Sequence, residues 1–296
     1  MIIIQLKGGL GNQLFQYAAG RRLAVKNNTE LLLDLTYFNS NDQPSPAHAL
    51  YGLHKFNINA QIAELPEIKQ FYTNSFLEKI KRKAAAISGI GKIRRVCEKE
   101  WFVFEPNVLQ LPDNVFLWGY WQSEKYFKDI EDIIRKELSL KEPLSPESAV
   151  VEQNIKNMKN TVSLHVRRGD YVTNEKVNAY FGLCQPDYYN NCISILKNKL
   201  GALNIFVFSD DPEWAKNNIK SGNTLHFIEH NKAASTHEDM YLMSICKHNI
   251  IANSSFSWWG AWFNNNKNKT VFTPKQWIIA EGNLKLDVIP NNWSRI

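Results

Sequence analysis

Two hydrophobic patterns alternate along the chain, short unbroken apolar runs and longer stretches whose apolar positions fall three and four apart. The runs Ile2–Leu6, Leu31–Asp34, Val115–Trp121, Val162–Val166, Asn204–Phe208, Thr224–Ile228, Asn249–Ala252 and Thr270–Thr273 predict strands. Helices are predicted over Gln13–Lys26, where Leu14, Tyr17, Ala18, Arg21 and Leu23 share helical spacing, and over Ala149–Lys159, Asp187–Leu200, Pro212–Lys220, Thr236–Lys247 and Ser254–Asn264. Pro66–Ile87 and an amphipathic stretch from Gln122 to about Leu138 read as further helices, and Tyr37–Ala60, rich in Asn, Ser, Pro and His, as irregular loop.

Strand and helix in regular alternation is the signature of an α/β fold with parallel sheets, a βαβ unit at the start and a doubly wound sheet in the second half. The best linker is Lys141–Ser148, with Pro143 and Pro146. It divides the chain into an N-terminal α/β domain (1–148), a C-terminal α/β domain (149–280) and a tail (281–296) expected to pack back across the junction.

Composition narrows the class. The chain has 296 residues, 44% hydrophobic and 22% charged, as in ordinary soluble proteins, so neither disorder nor a fibrous repeat is indicated. No apolar run approaches the roughly 18–20 residues of a membrane helix. Met1–Ile4 is cut short by Gln5 and Lys7 and makes no signal peptide, so the expected location is cytoplasmic. Cys97, Cys184, Cys192 and Cys246 lack the spacing of a zinc site or disulfide scaffold. A formal charge of +6 favours an anionic ligand, lipid surface or nucleic acid. No DNA-reading motif supports the last. The basic cluster Lys79, Lys81, Arg82, Lys83, Lys92, Arg94 and Arg95 reads as a solvated face or as a peripheral contact with anionic lipid at the inner face of the membrane.

Candidate chemistry gathers where strands end. Parallel topology brings four strand ends of the second half to one sheet edge: Arg167-Arg168-Gly169-Asp170, Ser209-Asp210-Asp211, Glu229-His230-Asn231 and Asn253-Ser254-Ser255. Two adjacent guanidiniums, acids able to pair with a base or ribose, and serines at a helix N-terminus describe a nucleotide diphosphate site. Each part also has a plain structural use. Ser254, Ser255, Asp210 and Asp211 are placed to cap helices, Thr236 and Asp239 have capping-box spacing, and His165 could be a buried core histidine. At the N-terminus, Lys7-Gly8-Gly9-Leu10-Gly11-Asn12 between strand and helix lets backbone approach a ligand, but fits neither a dinucleotide fingerprint nor a P-loop. No Asp-x-Asp occurs to hold a divalent cation on a nucleotide sugar, so arginines would have to offset a departing diphosphate.

Taken together, Gly8–Tyr17 (Gly-Gly-Leu-Gly-Asn-Gln-Leu-Phe-Gln-Tyr), Gly119–Ser123 (Gly-Tyr-Trp-Gln-Ser), His165–Tyr171 (His-Val-Arg-Arg-Gly-Asp-Tyr), Phe208–Asp211, Asp239–Met243 and Cys246–Gly260 resemble glycosyltransferase family 11, the α-1,2-fucosyltransferases that use GDP-fucose. The resemblance implies a GT-B-type fold, two Rossmann-like domains with the active site in the cleft between them, the donor GDP-fucose held mainly by the C-terminal domain and the acceptor approached from the N-terminal one. It implies inverting transfer of L-fucose from GDP-β-L-fucose to the 2-hydroxyl of a terminal β-galactoside such as lactose, N-acetyllactosamine or a lipid-linked glycan, with no metal or other cofactor and no nucleic-acid partner. Carried over by position, His165, Arg167 and Arg168 would grip GDP, Asn253, Ser254 and Ser255 would hold phosphate or ribose, Glu229 and Asp239 would add donor contacts, and Gly11 and Asn12 would lie near fucose and acceptor. Phe181-Gly182-Leu183-Cys184 departs from the His-Gly that several members carry before a cysteine, leaving acceptor contacts near Phe181 open. In-line displacement needs a base for the acceptor proton. Asp170 is the first candidate, with an ion pair orienting Arg168 as its alternative role, and Glu175 is the second.

Overall fold

The computed structural model describes residues 1–39, 50–71, 94–279 and 285–296. They form two compact units, one running to Ser139 and joined by Leu286–Val288, the other comprising Leu140–Lys285 with Ile289–Ile296.

In the first unit β1 (Ile2–Gln5), α1 (Leu10–Asn27) and β2 (Leu31–Asp34) are followed by β3 (Gln61–Ile62), α2 (Leu65–Lys69), β4 (Arg94–Cys97), β5 (Val115–Trp118) and α3 (Glu131–Glu137). The strands form one parallel sheet in the order β3-β2-β1-β5-β4. Ile2, Ile3 and Ile4 are buried on the central strand, which is why that run carries no polar alternation. Gly20 lets α1 lie close to the sheet: a Cβ there would stand 2.9 Å from Leu31 Cδ1. Strands β3 and β4 were not legible, because one is two residues long and the other carries Arg94 and Arg95 on an exposed edge. The helix expected from Gln122 is α-helical only over Glu131–Glu137. Before it, Trp121 adopts a left-handed φ of 56° and short 3₁₀ turns cover Glu124–Tyr126 and Lys128–Ile130. Within the helix expected over Pro66–Ile87, α2 ends at Lys69; the remainder past Phe71, with Lys79, Lys81, Arg82, Lys83 and Lys92, lies outside the described residues.

The second unit contains α4 (Pro146–Asn157), β6 (Thr161–Val166), α5 (Gly169–Thr173), α6 (Glu175–Phe181), α7 (Pro186–Leu200), β7 (Asn204–Ser209), α8 (Pro212–Asn218), β8 (Thr224–Ile228), α9 (Thr236–Ile245), β9 (His248–Ile250), α10 (Ser255–Phe263), β10 (Val271–Thr273) and β11 (Ser294–Arg295). Its parallel sheet runs β11-β10-β9-β6-β7-β8, so the chain builds outward from β6 in one direction and then from β9 in the other. Alternate residues of β6 and β7 feed opposite cores. Val162, Leu164, Val166, Ile205 and Val207 pack with Cys192, Leu196 and Ala215, while Phe206 and Phe208 pack with Ile155, Leu242 and Met243. Helix α10 is buried nearly all round, and a Cβ at Gly260 would meet Met243 Cε at 2.7 Å.

One local expectation is corrected. Ser235, not Thr236, is the N-cap of α9, and it makes no side-chain cap bond; Asp239 instead accepts from Asn231 Nδ2 at 2.7 Å. The tail serves both units: Ser294–Arg295 adds a strand beside β10, whereas Asp287 belongs to the first unit, its N–H donating to the Phe102 carbonyl (2.7 Å) and its carbonyl accepting from Ser123 Oγ (2.8 Å).

Candidate functional site

The strand order of the second sheet reverses between β6 and β9. In open parallel sheets the crevice beyond the carboxyl ends of the strands at such a reversal is where ligands sit. Here those ends carry Arg167-Arg168 after β6 and Asn253-Ser254 after β9.

The two arginines are held differently. Arg167 is paired with two carboxylates: Nη1 donates to Asp210 Oδ2 at 2.8 Å, Nη2 pairs closely with Asp170, and the guanidinium lies 5.4 Å from the Tyr171 ring centre. Arg168 donates through Nε to Asp211 (3.0 Å) and lies over the Trp214 ring at 4.3 Å, with its backbone N–H on Asp210 Oδ1 (2.8 Å). Its two terminal nitrogens make no hydrogen bond among the described residues, so a planar fork of donors is presented for a ligand. Gly169 is required by this crowding, since a Cβ there would lie 2.6 Å from Asp210 Oδ2.

Asp170 is buried and its partner is Arg167, not the Arg168 expected from sequence. Asp211 does cap α8, accepting from Trp214 N–H at 3.1 Å, but Asp210 is no cap; both its oxygens serve the arginine loop. Glu175 opens α6 on the surface. His165, 6% exposed on β6, has no hydrogen-bond partner at Nδ1 among the described residues, and packs against Phe256 with ring centres 5.5 Å apart. Burial, aided by the Arg167 charge, holds its pKa down at about 3, so the ring is neutral and can either donate or accept.

Asn253 is spent inside the protein. Its Nδ2 donates to the carbonyls of Phe181 (2.8 Å) and Trp277 (3.2 Å), its Oδ1 accepts from Cys184 at 3.5 Å, and its own carbonyl accepts from Tyr171 at 3.1 Å. It therefore ties the loop after α6 to the sheet edge. Ser254 is buried at the N-cap of α10 without a side-chain cap bond, and Ser255 opens the helix, whose first-turn amides have no partner within the helix itself. Farther along the edge Glu229 pairs with Lys216 at 2.7 Å. Asp239, with its Asn231 partner also reaching Ser148, is pushed up to about 7, chiefly by burial. Gly11 and Asn12 lie in the other unit, on the first turn of α1, where Asn12 Oδ1 accepts from Gln122 at 2.9 Å. The parts played by Trp214 and Tyr171 were not legible in the sequence; for Trp214 the only signal was an aromatic residue inside the first turn of a helix opened by Asp-Pro.

A neutral histidine on β6, a cationic fork just after it and the start of α10 after β9 all stand at or next to the strand-order reversal of a parallel α/β sheet. The glycosyl transferase family 11 model matches residues 1–296, and the chain belongs to that family. It is 34% identical over 302 residues to an alpha-1,2-colitosyltransferase of Escherichia coli, covering 100% of this chain and 99% of that one. Identity is 32% over 300 residues to the E. coli O-antigen biosynthesis glycosyltransferase WbnK, covering 97% and 98%. The fold resembles the fucosyltransferase NodZ from Bradyrhizobium, with a TM-score of 0.51 at 16% identity over 88% of this chain and 91% of that one. The protein is thus a glycosyltransferase of the expected GT-B-type α/β class. No described helix is long and apolar enough to cross a membrane.

Proposed function

We propose that the protein transfers L-fucose from GDP-β-L-fucose to the 2-hydroxyl of a terminal β-galactoside with inversion, in surface glycan synthesis. The observation that carries the reading is the terminal donor fork of Arg168, without a hydrogen-bond partner among the described residues, at the sheet's strand-order reversal, where negative charge would grow on the departing diphosphate. Arg167, neutralised by Asp170 and Asp210, shapes the loop. His165 Nδ1 and the start of α10 with Ser254 and Ser255 supply further donors, and Asp239 and Glu229 extend the donor site toward the base. Asp170 orients Arg167 directly, and this positioning role is the one its ion pair supports. The reaction needs no metal ion, because the arginine supplies the positive charge at the leaving group.

A second donor is favoured by the colitosyltransferase relative: colitose is L-fucose without its 3-hydroxyl. A site that hydrogen-bonds that hydroxyl rejects the deoxy sugar by about 10⁴-fold, whereas an apolar pocket does not. Incubation with lactose and either GDP-fucose or GDP-colitose, with and without EDTA, followed by linkage analysis, decides the matter. An EDTA-resistant α-1,2-fucosyl product supports the proposal. Transfer from GDP-colitose alone, or a requirement for added metal, overturns the donor or the metal-independent chemistry.

A further inference from the structure

One carboxylate holds two partners at the start of α8. Asp211 Oδ1 accepts the Trp214 backbone N–H at 3.1 Å, and Oδ2 accepts Arg168 Nε at 3.0 Å. The Asp211 N–H donates to Ser209 Oγ at 2.9 Å, and Pro212 follows as the first residue of the helix, its φ confined by the pyrrolidine ring. The helix therefore starts at a fixed place beyond β7, and Trp214 with it. The half-buried indole packs against the core that Cys192, Leu196 and Ala215 form with β6 and β7. Arg168 lies over that ring, its guanidinium carbon 4.3 Å from the ring centre.

These contacts divide the work of aiming a cation. The Nε bond holds one edge of the guanidinium but leaves its plane free to turn about the N–H···O axis. A flat ring 4.3 Å away restricts that turning and leaves the two terminal nitrogens to face a ligand. Arg167 is aimed differently, by two carboxylates that also cancel its charge. An aromatic face attracts and orients a cation without adding a negative charge. A second carboxylate beside Arg168 could orient it as well, but would take up the donors meant for the ligand.

We propose that Trp214 is a positioning residue of the donor site: its indole face sets the plane of the Arg168 guanidinium, so that the terminal donors meet the diphosphate already aligned. The proposal rests on the reading of Arg168 as the partner of the diphosphate. Trp214 touches no ligand and acts only through Arg168, so its effect must vanish when Arg168 is removed.

The test is a double-mutant cycle on the full chain, read by calorimetric GDP titration and by transfer kinetics with GDP-fucose and lactose, with thermal midpoints alongside. Trp214→Leu keeps an apolar side chain against the core but has no π face, whereas Trp214→Phe keeps a smaller one. Trp214→Leu should weaken GDP binding about five- to tenfold and lower kcat/KM about tenfold, while Trp214→Phe should stay within about threefold of the wild type. In an Arg168→Ala background, Trp214→Leu should change GDP affinity less than about twofold. Trp214→Met, which fills more of the indole's volume, serves the same cycle if the Leu variant melts below the assay temperature. Equal losses in the Leu and Phe variants, or the same loss with and without Arg168, would show that the indole serves packing alone and overturn the proposal. If the wild type binds GDP with this coupling but transfers nothing to lactose, the role of Trp214 stands and the proposed reaction fails. If it transfers fucose while the cycle is additive, the reaction stands and the positioning role fails.

Discussion

At the edge of the second sheet, beside β6, three carboxylates are spent on arginines, Asp170 and Asp210 on Arg167 and Asp211 on Arg168. At the edge of the first, the buried Lys7 is caged by the Trp118 and Tyr120 rings and the neighbouring Glu98 is spent on the backbone amides of Tyr120 and Trp121. The difference lies in what holds each cation. A diphosphate needs cations that stay charged at any working pH, and acids that aim them. The same layout, a strand-order reversal in a parallel sheet, thus carries two different sets of charged and aromatic groups within one chain.

The largest expected effect tests the charged edge. Replacing Arg168 by Ala removes the fork at the leaving group and should lower kcat/KM by about 10²–10³-fold; Arg168→Lys should be nearly as severe, because an ammonium cannot offer two parallel donors. Near-normal turnover in Arg168→Lys would equate this cation with the lysine of the other sheet. Asp170→Asn comes next. As a positioning change it should weaken GDP binding about tenfold by releasing Arg167. Intact GDP affinity with turnover reduced about 10³-fold would instead make Asp170 the base.

The smallest effect probes the aromatic edge through stability. Burial raises Glu98 from its ordinary 4.5 to about 7, against the opposing pull of the two amide bonds and Lys7. A carboxyl that is harder to ionise folded than unfolded gives its full contribution to stability below about 4.5, and loses it as pH rises through about 7. Glu98→Gln does not titrate and cannot accept both amides, so at pH 5 it should be about 1–3 kcal/mol less stable than the wild type. That gap should narrow by pH 8, as read from urea midpoints. A constant gap would show that Glu98 does not ionise across this range.

Much of the second unit was legible because its strands are buried on both faces, so the apolar runs were continuous and the turns between them polar. Arg167, Arg168 and the start of α10 were legible for the same reason, since a strand's end fixes where the next residues must point. The exposed edge strand β4 hid in a basic stretch, and the short helices α5 and α6 offer too few turns for a period to emerge. Glu98 and Lys7 were missed because nothing in sequence marks a glutamate whose partners are amides 22 and 23 residues away, nor a lysine whose partners are rings. Asn253 is expected from its strand end to face a ligand, and only side-chain geometry reveals that its amide is consumed by Phe181 and Trp277.

Asp287 braces the first unit from near the far end of the chain, accepting from Phe104 N–H at 2.9 Å, pairing with Lys125 and bonding Phe102 and Ser123. On the ribosome, then, the N-terminal sheet can assemble early but its last brace arrives only after the whole second sheet except β11 has been synthesised. The half that begins first finishes late, and a nascent chain stalled before Asp287 would carry a first unit still open around Phe102–Tyr126.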